Sequence, residues 1–416
     1  MAGGRPPKIT VVCGGTFTAF RLAAELHRRG ALDRLVTTHP PLRGEQIPRD
    51  RVVWNPLPEL WMRSGWPNGT YRKAVAFGRW AARHVGHPDL LVGWAQFSLE
   101  SLKKCRVLGI KTVLVRQSLH IEVQLAVLGL PRTPLVEREL REYESSDYVE
   151  TPTLAAKKSF TDRGFSQERI LVIPPVGVSE LFHPNPTEPN LTRPYRTEPD
   201  HAEPYPATPN PTAPDPTTPY PNTTYISPND FHALLVGCSV RKGTGFGLES
   251  CRLADVPAWV VGRPDCRIQD LPGLSSDPMG WRTHSGGRSQ PLVQFLGPLP
   301  QRSLAELYRA AGVTLIMSLE EGLPHVLVES LASGCPVIAS MASGANEVIQ
   351  HTKEGWLVID KDVEMTAEYL ARLRVNHPLR TRMSTAAAET GRRWSWDAYG
   401  ERAFQAYSQI VSRETI

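Results

Sequence analysis

The chain has 416 residues, 41% of them hydrophobic and 21% charged, and a formal net charge of +5. That length is more than one ordinary core can use, so two domains of roughly 180 residues each are expected, with the composition of a soluble globular protein. No run of about 18 apolar residues occurs and the N-terminus has no long apolar segment, which argues against a membrane-spanning helix and a secretory signal and points to the cytosol.

The charge is unevenly spread. Residues 1–120 hold 19 Lys and Arg against 7 Asp and Glu, a net of +12, which leaves −7 for the remainder. A basic first half favours an anionic partner: a membrane surface, an acidic acceptor or a phosphate-bearing substrate. A solvated Arg-rich surface is the plainer alternative. Nucleic acid is not expected, because the basic residues are not interleaved with any reading module. The cysteines, at positions 13, 105, 238, 251, 266 and 335, show no C-x-x-C spacing. Reduced thiols are expected, and neither a zinc site nor a disulfide framework.

In chain order, the apolar run Ile9–Cys13 ends at Gly14-Gly15, and an amphipathic pattern follows from Phe17 to Arg29, stopped by Gly30: strand, glycine turn, helix. Further strands are expected at Leu35–Thr38, Leu90–Trp94, Thr112–Val115, Tyr148–Thr151 and Ile170–Ile173, with a charged helix over Glu137–Ser146. Strands and helices alternating at these lengths imply a parallel sheet covered on both faces. Residues 184–228 then carry 14 of the 38 prolines and almost no aliphatic side chains. Such a stretch cannot bury a core and reads as an extended, disordered linker or insertion. Its two N-x-T sequons, at Asn190 and Asn222, carry no meaning in a cytosolic protein. The pattern restarts at His232–Gly237 and continues through Ala258–Val261, Val293–Leu296, Thr314–Met317, Val337–Ala339 and Trp356–Ile359, a second open α/β domain. A helix over Trp396–Ser412 closes the chain.

Several positions offer chemistry, each with a plainer alternative. Gly14-Gly15 suits close approach to a phosphate, or is simply a tight strand-to-helix turn; it is not a G-x-G-x-x-G fingerprint. Arg241-Lys242-Gly243 follows the first strand of the second half, where parallel sheets bind ligands. Two cations there suit a diphosphate, unless the turn is merely solvated. His120 follows the strand Thr112–Val115 and has the chemistry to exchange a proton with a hydroxyl, though a lone histidine is often structural. Asp360-Lys361-Asp362 imitates a D-x-D metal motif, but its place between a strand and a helical stretch makes it a helix cap. Between Trp61 and Arg83, the aromatics Trp61, Trp66, Tyr71, Phe77 and Trp80 stand among Arg63, Arg72, Lys73, Arg79 and Arg83. That is either a surface for an anionic bilayer or a core-facing stripe with a solvated basic back.

The stretch E-G-L-P-H-V-L-V-E, Glu321 to Glu329, is the most informative. It places two carboxylates eight positions apart around a turn and a helix start. Unpaired N–H groups at that start favour an anion, and carboxylates beside it can hold the hydroxyls of a polyol. Together these suggest a nucleotide sugar. Glu321 through Glu329, with Ala332–Ser340 and Ser343–Ile349, resembles the signature of retaining glycosyltransferases of family 4. Glu144–Tyr148, Phe182–Pro184, Val236-Gly237, Arg241–Gly243, Phe295–Gly297 and Leu307-Tyr308 agree in order and spacing. The resemblance is strong over about residues 230–358 and weaker over 1–183.

The resemblance implies a GT-B fold, with two Rossmann-like domains facing across a cleft. Residues 1–183 would be the acceptor-side domain, 184–229 the Pro/Thr-rich linker, 230–395 the nucleotide-sugar domain, and 396–416 a helix crossing back to the first domain. It implies a nucleoside-diphosphate sugar donor, net retention at the anomeric carbon, and no metal or other cofactor. By the matching motif, Glu321 would contact hydroxyls of the donor sugar, and the turn of Gly322, Leu323, Pro324 and His325, through the N–H groups of its non-proline residues, would serve sugar and phosphate. Glu329 would hold the ribose hydroxyls, Arg241 and Lys242 the diphosphate, and Gly15 would admit the phosphates; His120 matches a histidine near the reacting centre. Two departures stand out: Arg241 and Lys242 are adjacent where the family often spaces them, and His325 stands where an apolar residue or Asn is usual. The acceptor would be a glycan, a lipid-linked or a small-molecule hydroxyl, in polysaccharide or glycoconjugate synthesis, with peripheral membrane contact through the basic first domain. A nucleotide-sugar epimerase or a catalytically silent relative on the same fold are the alternatives.

Overall fold

The computed structural model describes residues 5–40, 46–63, 68–184, 231–283 and 290–412. The Pro-rich stretch beyond Pro184, both sequons, Trp66 and the side chains of Trp61 and Arg63 lie outside the described residues. The chain divides into two compact units, Met1–Pro175 with Trp396–Ile416, and Val176–Ser395.

The first unit is built on a seven-stranded parallel sheet: β1 Ile9–Cys13, β2 Leu32–Thr37, β3 Val52–Trp54, β4 Leu90–Trp94, β5 Lys111–Val115, β6 Tyr148–Thr151 and β7 Ile170–Val172, in the order β3-β2-β1-β4-β5-β6-β7. Every residue of β1 and β4 is buried, as expected of strands covered on both faces. The helices α1 Ala19–Arg28, α2 Leu60–Arg63, α3 Gly69–His84, α4 Leu99–Val107, α5 Ile121–Leu128, α6 Pro134–Ser145 and α7 Leu154–Thr161 connect them. Threonine caps set two of the starts: Thr133 accepts from the Val136 N–H ahead of Pro134, and Thr153 accepts from that of Ala156.

The second unit has a six-stranded parallel sheet. Its strands are β8 Ala233–Cys238, β9 Ala258–Pro264, β12 Val293–Gly297, β13 Val313–Ile316, β14 Val337–Ser340 and β15 Gly355–Val358, in the order β12-β9-β8-β13-β14-β15; the short strands β10 Arg282–Thr283 and β11 Gln290–Pro291 pair separately. Its helices are α8 Thr244–Leu253, α9 Gln301–Ala310, α10 His325–Ala332, α11 Val363–Val375 and α12 His377–Gly391. The last helix, α13 Trp396–Ser412, belongs to the first unit. Its Tyr399, Ala403, Tyr407 and Ile410 join Phe20, Leu22 and Leu26 of α1 in one core, and the Tyr407 hydroxyl donates to the buried Glu150 of β6. Gly400 is required there, since a Cβ would run into the Glu25 side chain.

The first unit ends at Pro175 rather than at residue 183. Val176, Val178 and Phe182 pack into cores of the second unit, Phe182 against Tyr308. On α3, Phe77 is fully buried while Arg72, Arg79 and Arg83 are exposed, the pattern of a core-facing stripe with a solvated basic back. Among the described residues no helix is long and apolar enough to cross a membrane.

Candidate functional site

Strand β8 delivers the chain to Gly237, and a tight turn of Ser239 to Gly243 leads into α8. Thr244 ties the turn together: its hydroxyl accepts from the Ser239 N–H at 3.0 Å and lies 3.0 Å from the Gly237 carbonyl oxygen. Gly243 has a φ of +62°, and a Cβ there would collide with the Met317 carbonyl at the end of β13. The turn is therefore pressed against the loop that follows β13. On that loop the Leu319 N–H donates to the Arg241 carbonyl at 2.9 Å.

Side chains cross the same gap. Lys242 Nζ donates to Glu321 Oε1 at 2.6 Å, and Ser318 Oγ donates to Glu321 Oε2 at 2.7 Å. Both oxygens of Glu321 are thus engaged, and its N–H is held by the Ala342 carbonyl at 3.0 Å. Ala342 in turn gives its N–H to Asp360 Oδ1 at 2.9 Å, and Asp362 Oδ1 accepts from Met365 at the start of α11. The D-x-D pair is a turn anchor and a helix cap. Arg241 Nε donates to Glu320, to its carbonyl and to Oε2, both at 3.1 Å. A small cavity beside Lys242 is lined by Gly237, Thr244, Ser318 and Val326, with Leu235 and Ile316 at its base.

Gly322, Leu323 and Pro324 are buried and turn the chain into α10, whose first residue is His325 and whose N-terminus has no side-chain cap. Glu329 lies one turn into α10 and accepts from the Tyr308 hydroxyl of α9 at 3.2 Å. Burial lifts its carboxyl to about 7, against the opposing influence of Tyr308 and of Lys242.

In the first unit, Gly15 is buried in the β1–α1 turn, and its carbonyl accepts from the Thr37 hydroxyl at 3.1 Å. His120 is 2% exposed. Its ring caps α5 by accepting the Glu122 N–H on Nδ1 and sits among Tyr143, Phe160 and Phe165. Burial, reinforced by Arg163 and Arg116, lowers its pKa to about 4. A neutral imidazole whose Nδ1 accepts carries its proton on Nε2, so His120 offers a donor there and no charge.

The structure thus gathers Arg241, Lys242, Glu321, the 322–325 turn and Glu329 around the carboxyl ends of β8 and β13. Sequence reading missed Ser318 and Glu320 and gave no role to Tyr308; these three hold those residues. The one signal available was the Glu320-Glu321 doublet, a match in kind for Arg241-Lys242. Among the described residues no group of three or more His, Cys, Asp or Glu has metal-holding geometry.

Known proteins resemble the chain in two ways. Residues 290–390 match the family described as glycosyl transferases group 1. The D-inositol 3-phosphate glycosyltransferase of Thermomonospora curvata is 37% identical over 117 residues, 28% of this chain and 27% of that relative. The match thus takes in little more than a quarter of the curated relative. Among solved structures, HepE of Anabaena in complex with UDP and glucose aligns with a TM-score of 0.62 and 16% identity over 97% of this chain and 100% of that one. Sucrose-phosphate synthase of Thermosynechococcus elongatus aligns with a TM-score of 0.62 and 17% identity over 98% and 100%. At such identities the likeness is one of fold. The fold is GT-B, the architecture of these neighbours, and the group 1 match falls within the second unit.

Proposed function

We propose that the protein is a glycosyltransferase that moves a sugar from a nucleoside-diphosphate sugar to an acceptor hydroxyl, with retention at the anomeric carbon and without a metal ion. The observation that carries this reading is the Lys242–Glu321–Ser318 cluster, a cation and a carboxylate fixed side by side at the carboxyl ends of β8 and β13. A glycosyl–phosphate bond breaks with negative charge gathering on the diphosphate and positive charge on the sugar. Lys242 and Arg241 neutralise the first, in the role a divalent cation would otherwise fill. Glu321 accepts hydroxyls of the donor sugar, the N–H groups at the start of α10 face the phosphates, and Glu329 accepts the ribose hydroxyls. No carboxylate is assigned as nucleophile, so attack is from the front face, assisted by the leaving diphosphate; a trapped glycosyl–enzyme adduct in a mass spectrum would overturn that step.

UDP-sugars are the first donors to try, because HepE was solved with UDP and glucose. The acceptor is anionic or membrane-borne on this reading, in keeping with the +12 balance of residues 1–120, and a cytoplasmic site of action with peripheral membrane contact goes with it. The inositol phosphate in the relatives' name is not carried over, since the match takes in only 28% of this chain and 27% of that relative. Epimerisation of the donor would proceed with no acceptor, and a silent relative would turn nothing over.

Thermal-shift titration with UDP, GDP, ADP and their glucose conjugates tests the donor assignment. At about 100 times Kd a ligand adds roughly 2.7 kcal/mol of apparent stability. A positive shift for at least one diphosphate, lost or reduced in Glu321→Ala for its sugar conjugate, is expected. No shift with any of them would sink the reading.

A further inference from the structure

The doublet Glu320-Glu321 faces the doublet Arg241-Lys242, and each cation takes its own carboxylate: Lys242 pairs with Glu321 at 2.6 Å and Arg241 with Glu320 at 3.1 Å. The two pairs differ in burial. Glu320 is fully buried, whereas the Arg241 side chain is 37% exposed. A buried carboxylate needs a partner, and Glu320 has one held from two sides, since its carbonyl and its carboxylate both accept from Arg241 Nε. Only the inner edge of the guanidinium is used in that grip. Its outer nitrogens, Nη1 and Nη2, make no hydrogen bond to any of the described residues.

We propose that Glu320 is a positioning residue for phosphate recognition: it grips Arg241 by Nε and so presents the Nη1/Nη2 fork to the diphosphate. The inference rests on the reading of Arg241 as a diphosphate ligand. The chemistry explains why arginine, not lysine, stands here. A guanidinium is a rigid planar fork that can be held along one edge and bind along another, whereas an ammonium is a single point. It also accounts for the adjacency of the two cations. Consecutive residues after β8 are matched by consecutive carboxylates after β13, which fixes one cation as an oriented fork and leaves the other, Lys242, as a point charge beside the sugar-binding carboxylate. Glu320 itself touches no substrate in this arrangement.

The test is calorimetric titration of the full chain with UDP and with UMP, for wild type, Glu320→Gln, Glu320→Ala, Arg241→Lys, Arg241→Ala and Glu320→Ala/Arg241→Ala, with a melting curve for each. The Nε grip matters to the β-phosphate, so Glu320→Ala should weaken UDP by roughly tenfold and UMP by less than about twofold. Glu320→Gln, which keeps an acceptor for Nε, should recover part of the loss, and Arg241→Lys should not. In the double variant the loss should equal that of Arg241→Ala alone, because Glu320 acts only through Arg241. A general loss of structure would weaken both nucleotides alike and lower the melting temperature in step. If wild type binds UDP but Glu320→Ala and Glu320→Gln keep its affinity and its UDP-to-UMP ratio, the positioning role is refuted while the donor reading stands. If wild type binds no nucleoside diphosphate, the donor reading fails and this proposal falls with it.

Discussion

The two units place charged residues at the carboxyl ends of similar parallel sheets and bury them to different degrees. In the second unit, Arg241 and Lys242 are 37% and 25% exposed and their carboxylates lie beneath them. In the first, Arg116 and Arg138 are 10% and 2% exposed beside the fully buried Glu139 and Glu142, and Arg138 also donates to Glu100, which is 26% exposed. Glu142 also accepts the N–H groups of Gln96, Ser98 and Leu99, and Gln96 has a φ of +75°, so the carboxylate acts as the floor of the β4–α4 loop. The same residue types thus do two jobs. Where the cation reaches solvent, its charge is available to a ligand; where both partners are buried, the charge is used up in shaping a loop.

Breaking the exposed pair should cost turnover and little stability. Lys242→Ala is expected to slow sugar transfer by about 100- to 1000-fold, the cost of losing one preorganised group from a leaving-group site. Its melting temperature should fall less than in the buried-pair variant below, since Lys242 keeps a quarter of its side chain in solvent. Steady-state rates and melting curves on one preparation check both halves. A variant that unfolds instead would erase the contrast between the units.

Breaking the buried pair should do the reverse. Glu142→Ala strands three backbone donors and part of the Arg138 charge, at a cost of about 3 kcal/mol or more in denaturant unfolding. UDP binding, a property assigned to the second unit, should survive in whatever fraction stays folded. Loss of UDP affinity at full folding would contradict the division of labour.

A smaller effect follows from Glu150. Burial raises its carboxyl to about 7, opposed only by the hydrogen bond from Tyr407. The folded chain keeps this proton where the unfolded chain releases it. The stability it contributes is therefore complete below the ordinary carboxyl pKa and drains away as pH climbs from about 4.5 to about 7. Melting curves across that window should slope downward with pH for wild type and become shallower in Glu150→Gln, the remainder including the share of Glu329. An unchanged slope in the variant would mean that another group titrates.

Much of the architecture was legible because buried parallel strands are short, apolar and bounded by glycine or polar turns. Ile9–Cys13 and Leu90–Trp94 lie where the pattern puts them. The edge strand Val52–Trp54 escaped, being three residues long between polar and proline-containing flanks. The boundary at Pro175 escaped too, because an apolar residue such as Val176 reads the same whichever core it enters. At the site, the turn and helix start at Glu321–Glu329 were readable from local spacing. Ser318, Glu320 and Tyr308 were not, since each acts through a contact with a residue elsewhere in the chain or across a turn. His120 was legible as a residue at a strand end, but not as a ring packed among three aromatic side chains.

The helix Trp396–Ser412 has a consequence for biogenesis. A ribosome finishes residues Val176–Ser395, all of the second unit, while the first unit still lacks the helix that roofs one face of its sheet. The earlier-made unit is therefore the later one to be completed, since the α13 residues that share a core with Phe20, Leu22 and Leu26 of α1 are made only after more than half the chain has followed. Tyr407, clasping Glu150 in β6, is the latch that completes it.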